Sequence, residues 1–126
     1  MPHFGKKSKQ RLKGVDDKLI TVLNELIKIM DVTIIEGVRS KERQAELLKQ
    51  GATKVKYSKH MEGKAVDLAP YPIDWDNRDW FHYMGGMIRG IAQQLNINVR
   101  WGGDWDSDGD VKDNSFDDLV HIELRG

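Results

Sequence analysis

Ser58-Lys59-His60-Met61-Glu62-Gly63-Lys64-Ala65-Val66-Asp67-Leu68-Ala69-Pro70 is the stretch from which the rest of the chain can be placed. Residues 64–69 predict a strand, closed by Pro70 and Pro72 because proline cannot donate to a ladder. With a period of two, Ala65, Asp67 and Ala69 share one face while Val66 and Leu68 take the other. A carboxylate flanked by alanines has open space beside it. His60 sits in the polar loop leading to this strand, and Ser58 just before it suits either a turn or a hydrogen bond near that loop.

Upstream, Leu19, Val22, Leu23, Leu26, Ile27 and Met30 recur at helical spacing, and Asp16 or Asp17 can cap that helix. Residues 32–38, Val-Thr-Ile-Ile-Glu-Gly-Val, are rich in β-branched side chains and predict a strand. Ser40 caps a second helix over 41–50, which stops at Gly51. Downstream, 76–95 predicts a third helix whose core side chains include Trp80, Phe81, Met84, Ile88, Ile91 and Leu95, although Gly85-Gly86 weakens its middle. A strand over 99–101, an acidic loop over 102–118 and a strand over 119–124 follow. Helices and strands mixed without a βαβ rhythm predict an α+β fold, a small and largely antiparallel sheet with flanking helices.

The 126 residues suit one domain over 1–126, with no linker or repeat to mark a separate wall-binding module. Lys+Arg and Asp+Glu are equal at 20 each, which argues against nucleic acid as a partner. The basic run Lys6, Lys7, Lys9, Arg11 and Lys13 is expected to be solvated. Cysteine is absent, so a transition metal would have to be held by His, Asp or Glu. No apolar run is long enough for a signal peptide or a membrane anchor. The expectation is therefore a monomer made in the cytoplasm.

The chemistry-bearing residues are His60 and Asp67, joined far downstream by Asp118-Leu119-Val120-His121-Ile122-Glu123. Alone, His60 reads as a loop histidine and His121 as a satisfied strand histidine. Together, two imidazoles and a carboxylate supply the three N/O ligands of an open catalytic zinc site. In the last strand His121 and Glu123 share the cleft face while Val120, Ile122 and Leu124 enter the core.

Ser-x-His-x-x-Gly-x-Ala-x-Asp followed by Asp-x-x-His resembles the M15 family of zinc peptidases, which includes D-Ala-D-Ala carboxypeptidases and L-alanyl-D-glutamate endopeptidases. Gly37-Val38-Arg39-Ser40 with Gln44, and Trp101-Gly102-Gly103-Asp104-Trp105, are similar to further segments of that family. The opening Phe4-Gly5-Lys6-Lys7-Ser8 resembles compact phage endolysins that cut peptidoglycan between L-Ala and D-Glu. The resemblance implies a scaffold of the hedgehog and DD-peptidase type, zinc on His60, Asp67 and His121, and Asp118 as the base. Three residues before His121 on a regular strand, Asp118 would face away, so this role requires the strand to start later or to bulge. Glu123 is the alternative base, or an edge-strand carboxylate exposed to solvent.

Arg39 offers a forked donor to a substrate carboxylate or an oxyanion, and the resemblance implies such a role. Gln44 and Ser58 are expected beside it as substrate-binding residues, and Trp101 and Trp105 either line the groove or join the core. The loop Asp104-Trp105-Asp106-Ser107-Asp108-Gly109-Asp110 spaces oxygen donors as a calcium loop does, with Asp104, Asp106, Asp108 and Asp110 as ligands and calcium as a regulatory ion. Its twelfth position is Ser115 in place of the usual glutamate.

The expected activity is thus a zinc-dependent phage-type endolysin acting on peptidoglycan. It would be made in the host cytoplasm and reach the periplasm after a partner permeabilises the membrane. The alternatives are a D,D-carboxypeptidase or dipeptidase acting on D-Ala-D-Ala termini, and a zinc-bearing binding module without hydrolysis.

Overall fold

The computed structural model describes residues 2–51, 58–103 and 118–125. Its elements run α1 (Lys6–Arg11), α2 (Asp17–Ile27), β1 (Val32–Glu36), α3 (Lys41–Lys49), a 3-10 turn (Lys59–Glu62), β2 (Ala65–Pro70), α4 (Arg78–Gln94), β3 (Val99–Gly102) and β4 (Asp118–Leu124). The four strands form one antiparallel sheet in the order β1-β2-β4-β3. This is the expected α+β fold.

The core lies between α2, α4 and one face of the sheet. Leu19, Val22, Leu23 and Leu26 of α2 are fully buried, as are Met84 and Ile88 of α4. They meet Ile34, Val66, Leu68, Trp101 and Ile122 from the strands. Each such side chain contributes roughly 1.5–3 kcal/mol by leaving water. Asp16 caps α2 by accepting from Lys18 N at 2.9 Å, and Ser40 caps α3 by accepting from Arg43 N at 3.0 Å.

Several boundaries differ from the sequence expectation, each for a local reason. β1 ends at Glu36, where its register against β2 shifts. Gly37 then presses so close to Arg11 O that a Cβ would overlap it. Pro70 lies inside β2; β4 pairs with β2 only over Ala65, Val66 and Asp67, so no β4 partner awaits the missing Pro70 N–H. The basic N-terminal run carries a short helix. The lysines of α1 are exposed, but buried Ser8 accepts from Ile34 N at 3.0 Å and Arg11 Nη1 donates to Ile34 O at 2.8 Å. The outer edge of β1 is thereby covered by α1.

α4 is continuous through Gly85-Gly86. Gly85 faces the Trp101 indole, where any Cβ would overlap the ring, so the residue that weakens the helix is the one that lets it pack.

Candidate metal centre

Strand register assembles the polar face of the sheet. Glu36 on β1 lies opposite Asp67 on β2, and Asp67 lies opposite His121 on β4. The next row places Ala65 opposite Glu123, and Glu123 opposite Arg100. Directly opposed residues point to the same side, so both rows face away from the core.

His60 reaches this face from the 3-10 turn. Ser58 caps that turn by accepting from His60 N at 3.2 Å, and Gly63 ends it in the left-handed region at φ 73°. A side chain at Gly63 would also strike Gly14 O. The Ser-x-His-x-x-Gly spacing is therefore the frame of a turn that delivers one imidazole. The hydroxyl of Ser58 serves as the cap.

His60, Asp67 and His121 each present a donor atom within 4.8 Å of the others. His60 Nδ1 must donate to Gly37 O at 2.9 Å, since a carbonyl only accepts. Its Nε2 therefore turns a lone pair toward Asp67 Oδ1, 3.2 Å away, when the ring is neutral. Two lone pairs at that separation call for a proton or a cation between them. His121 Nδ1 meets the same Asp67 oxygen at 3.2 Å, and its Nε2 donates to Glu123 Oε1 at 2.8 Å. Each imidazole thus has one nitrogen tied to an outer partner and the other aimed inward. This is how histidines are oriented when they ligate a metal. Two imidazole nitrogens and a carboxylate oxygen suit zinc, and would also accept cobalt or nickel.

The electrostatics follow from the same contacts. Burial alone would raise Asp67, but hydrogen bonds and charge from His121 and His60 hold it well below the usual carboxylate range. Burial would lower His121, yet its bonds to Asp67 and Glu123 push it up to about 9. Glu123 is likewise raised by burial but held at about 2 by His121, Arg100 and Lys59. Its Oε2 lies 2.9 Å from Arg100 Nη2 and 3.2 Å from Lys59 Nζ. β4 is an inner strand and Glu123 is buried, which corrects the reading of an exposed edge carboxylate. A carboxylate bound to two cations and an imidazole has little basicity left.

Asp118 differs. β4 begins at this residue, and its register against β3 jumps so that Trp101 faces Ile122 while Gly102 faces Asp118. The irregularity that Asp118 needs in order to turn toward the site is present. Burial and the negative charge of Asp67 raise its pKa, partly offset by His121 and His60. Among the described residues, it is the carboxylate near the ligands held above its ordinary value.

Trp101 holds this bulge in place. Its indole is buried, and Nε1 donates to Leu119 O at 2.9 Å. A Cβ at Gly102 would overlap Asp118 O, and one at Gly103 would overlap the indole. Trp101 therefore joins the core, the second of its two expected readings, and braces the residue next to Asp118.

Arg39 donates through Nε to Glu36 and through Nη1 to Gln44 Oε1 at 2.9 Å, and its Nη2 lies 3.8 Å from Asp67 Oδ2. Gln44 is only 1% exposed, so it supports Arg39 from within, where a bound substrate cannot reach it. Glu36, Lys59 and Arg100 were not anticipated from sequence. A carboxylate at the end of the β-branched run of β1 was the available sign for Glu36. The calcium ligands proposed from spacing, Asp104, Asp106, Asp108 and Asp110, lie outside the described residues, as does Trp105.

No helix among the described residues is long and apolar enough to cross a membrane. The chain is 32% identical to the L-alanyl-D-glutamate peptidase of Escherichia phage T5, covering 96% of each protein. It is 34% identical to the peptidoglycan L-alanyl-D-glutamate endopeptidase CwlK of Bacillus subtilis, over 77% of this chain and 62% of that one. The crystal structure of the Serratia marcescens L-Ala D-Glu endopeptidase ChiX superposes with a TM-score of 0.81 at 28% identity, covering 97% of this chain and 89% of that one. The phage L-alanyl-D-glutamate peptidase family matches this chain over residues 1–125, and the chain belongs to that family.

Proposed function

We propose that this protein is a zinc-dependent endopeptidase that hydrolyses the L-alanyl–D-glutamate amide bond in the stem peptide of peptidoglycan. The observation that carries this reading is the convergence of His60 Nε2 and His121 Nδ1 on Asp67, with each imidazole fixed from behind. The relatives named above supply the bond and the polymer.

His60, Asp67 and His121 would hold the ion. When bound, zinc lowers the pKa of water and polarises a carbonyl. The protein's own groups handle the proton and the geometry. Asp118, with its raised pKa, takes the proton of the attacking water and passes it to the leaving amine as the carbon–nitrogen bond breaks. Glu123 keeps His121 in one orientation, while Gln44 and Glu36 hold Arg39 beside Asp67. Arg39 is the guanidinium next to the ligands, placed for a developing oxyanion or a substrate carboxylate. Calcium as a regulator rests on the spacing of Asp104 to Asp110 alone. Action at the wall in the periplasm, after a partner opens the membrane, fits this substrate.

The test is mass spectrometry of products released from purified Gram-negative peptidoglycan by zinc-loaded protein, chelated protein and His121→Ala. Zinc-dependent release of peptides beginning at D-Glu, with L-Ala left on the glycan, is expected. Free D-Ala would indicate the carboxypeptidase, and no product at all would indicate a binding module.

A further inference from the structure

His60, Asp67 and His121 sit on three different pieces of chain. Asp67 and His121 are opposed across paired strands, so the β2–β4 ladder sets their spacing. His60 is on the 3-10 turn, outside that ladder. Its backbone carbonyl accepts from Arg39 N at 2.9 Å and its Nδ1 donates to Gly37 O, and both contacts tie the turn to the segment after β1. Neither fixes His60 against β4. Yet the two imidazoles stand edge to face, with ring centroids 5.1 Å apart and planes at 66°, an arrangement that needs the turn and β4 held to one another.

Lys59, the residue before His60, makes that connection. Its Nζ donates to Leu124 O at the end of β4 and lies 3.2 Å from Glu123 Oε2. The amide of the same Leu124 donates to Lys64 O at 2.9 Å, and Lys64 N donates to Lys59 O at 2.9 Å. Both backbone groups of Leu124 are thus taken by the two ends of the turn. From Glu123 the path continues, since its Oε1 accepts from His121 Nε2 at 2.8 Å. A lysine suits this place because its three donors can be divided between a carbonyl and a carboxylate, whereas a guanidinium presents its donors in one plane.

Arg100 supplies the comparison. It lies 2.9 Å from the same Glu123 oxygen, but it comes from β3, a strand already paired with β4. It brings charge to Glu123 without bridging to the His60 turn. Both side chains are 33% exposed, so either can be replaced without opening the core.

We infer that Lys59 is a positioning residue that clasps the His60 turn to β4 and presets the separation of the two imidazoles before a metal arrives. It acts through Glu123 and the end of β4. The inference rests on the reading of His60, Asp67 and His121 as the zinc site. A separation set in advance spares the ion the ordering of the turn, so Lys59 raises metal affinity and fixes the geometry of the ligands.

The experiment compares wild type, Lys59→Met and Arg100→Met. Zinc affinity is read by chelator competition, and ligand geometry by the visible absorption of the cobalt(II)-loaded proteins. Circular dichroism and thermal melting of the chelated proteins report the fold. Wild type is expected to bind one zinc. Lys59→Met is expected to bind it at least about tenfold more weakly and to shift the cobalt bands, with the fold retained. Arg100→Met is expected to lose less affinity and to keep the wild-type bands. If Lys59→Met does not fold, Lys59→Gln carries the same comparison. Wild-type cobalt bands in the folded Lys59 variant overturn the inference, whatever its melting temperature. Identical changes in the Lys59 and Arg100 variants also overturn it, because Lys59 would then be a countercharge for Glu123 alone. A wild type that binds no zinc would defeat the metal assignment itself, and with it the proposed activity.

Discussion

Glu123 accepts a 2.8 Å hydrogen bond from His121 Nε2, across the ring from the Nδ1 that meets Asp67. It fixes which nitrogen is free for a metal and how the ring is turned. Removing such an outer partner typically costs roughly 10–100-fold in metal affinity. Glu123→Gln is expected to weaken zinc by that factor, measured by chelator competition, with the fold retained. An unchanged affinity would show that β4 alone orients His121.

The pH dependence of the metal-free protein has a defined sign. His121 is raised from 6.5 to about 9, so its contribution to stability is complete below about pH 6.5 and is lost as pH rises through 9. Glu123 and Asp67 are lowered, so theirs is present above the unfolded carboxylate range and lost on acidification. Chelated protein should therefore melt at lower temperature at pH 9 than at pH 6.5. Zinc must displace the His121 proton, so loading at pH 7 should release about one proton per ion, and affinity should rise with pH up to about 9. Calorimetry in buffers of different ionisation enthalpy reads this number. A value near zero would mean that His121 is neutral before the metal arrives.

Asp118→Asn removes the proposed base without touching a ligand. Turnover of a stem peptide is expected to fall about a hundred- to ten-thousand-fold, with zinc affinity close to wild type. In the metal-free protein burial and the charge of Asp67 hold this carboxyl above the ordinary aspartate value. Activity that survives in Asp118→Asn but vanishes in Glu123→Gln at saturating zinc would transfer the role to Glu123.

The element order and the ligand strands were legible because β2 and β4 carry their pattern locally. Asp67 between alanines and His121 between core residues state their faces by alternation alone. The outer partners were not legible. Glu36, Lys59 and Arg100 join the site through strand register and the 3-10 turn, which bring residues distant in sequence into contact. Trp101 stayed open between groove and core for the same reason: its indole packs on Gly85 of α4 and bonds to Leu119 on the next strand. Serine before a turn is a local signal, and the cap at Ser58 was among its expected readings.

Gly85 and Gly86 make a paired test of why α4 tolerates adjacent glycines. A Cβ at Gly85 would overlap the Trp101 indole, whereas one at Gly86 meets nothing within 4 Å. Overpacking of this kind costs about 1–3 kcal/mol, against a helix-propensity gain of roughly 0.5–1 kcal/mol for replacing glycine by alanine. Gly85→Ala should thus be destabilised, and Gly86→Ala should gain about 0.5–1 kcal/mol. The first change also pushes on the ring that donates to Leu119, the neighbour of Asp118, so it should lower turnover more than zinc affinity. Thermal melts and peptide cleavage of the two variants check both parts. Equal stability in the pair would mean that Trp101 moves aside without cost, and that its contact with α4 does not hold the bulge at Asp118.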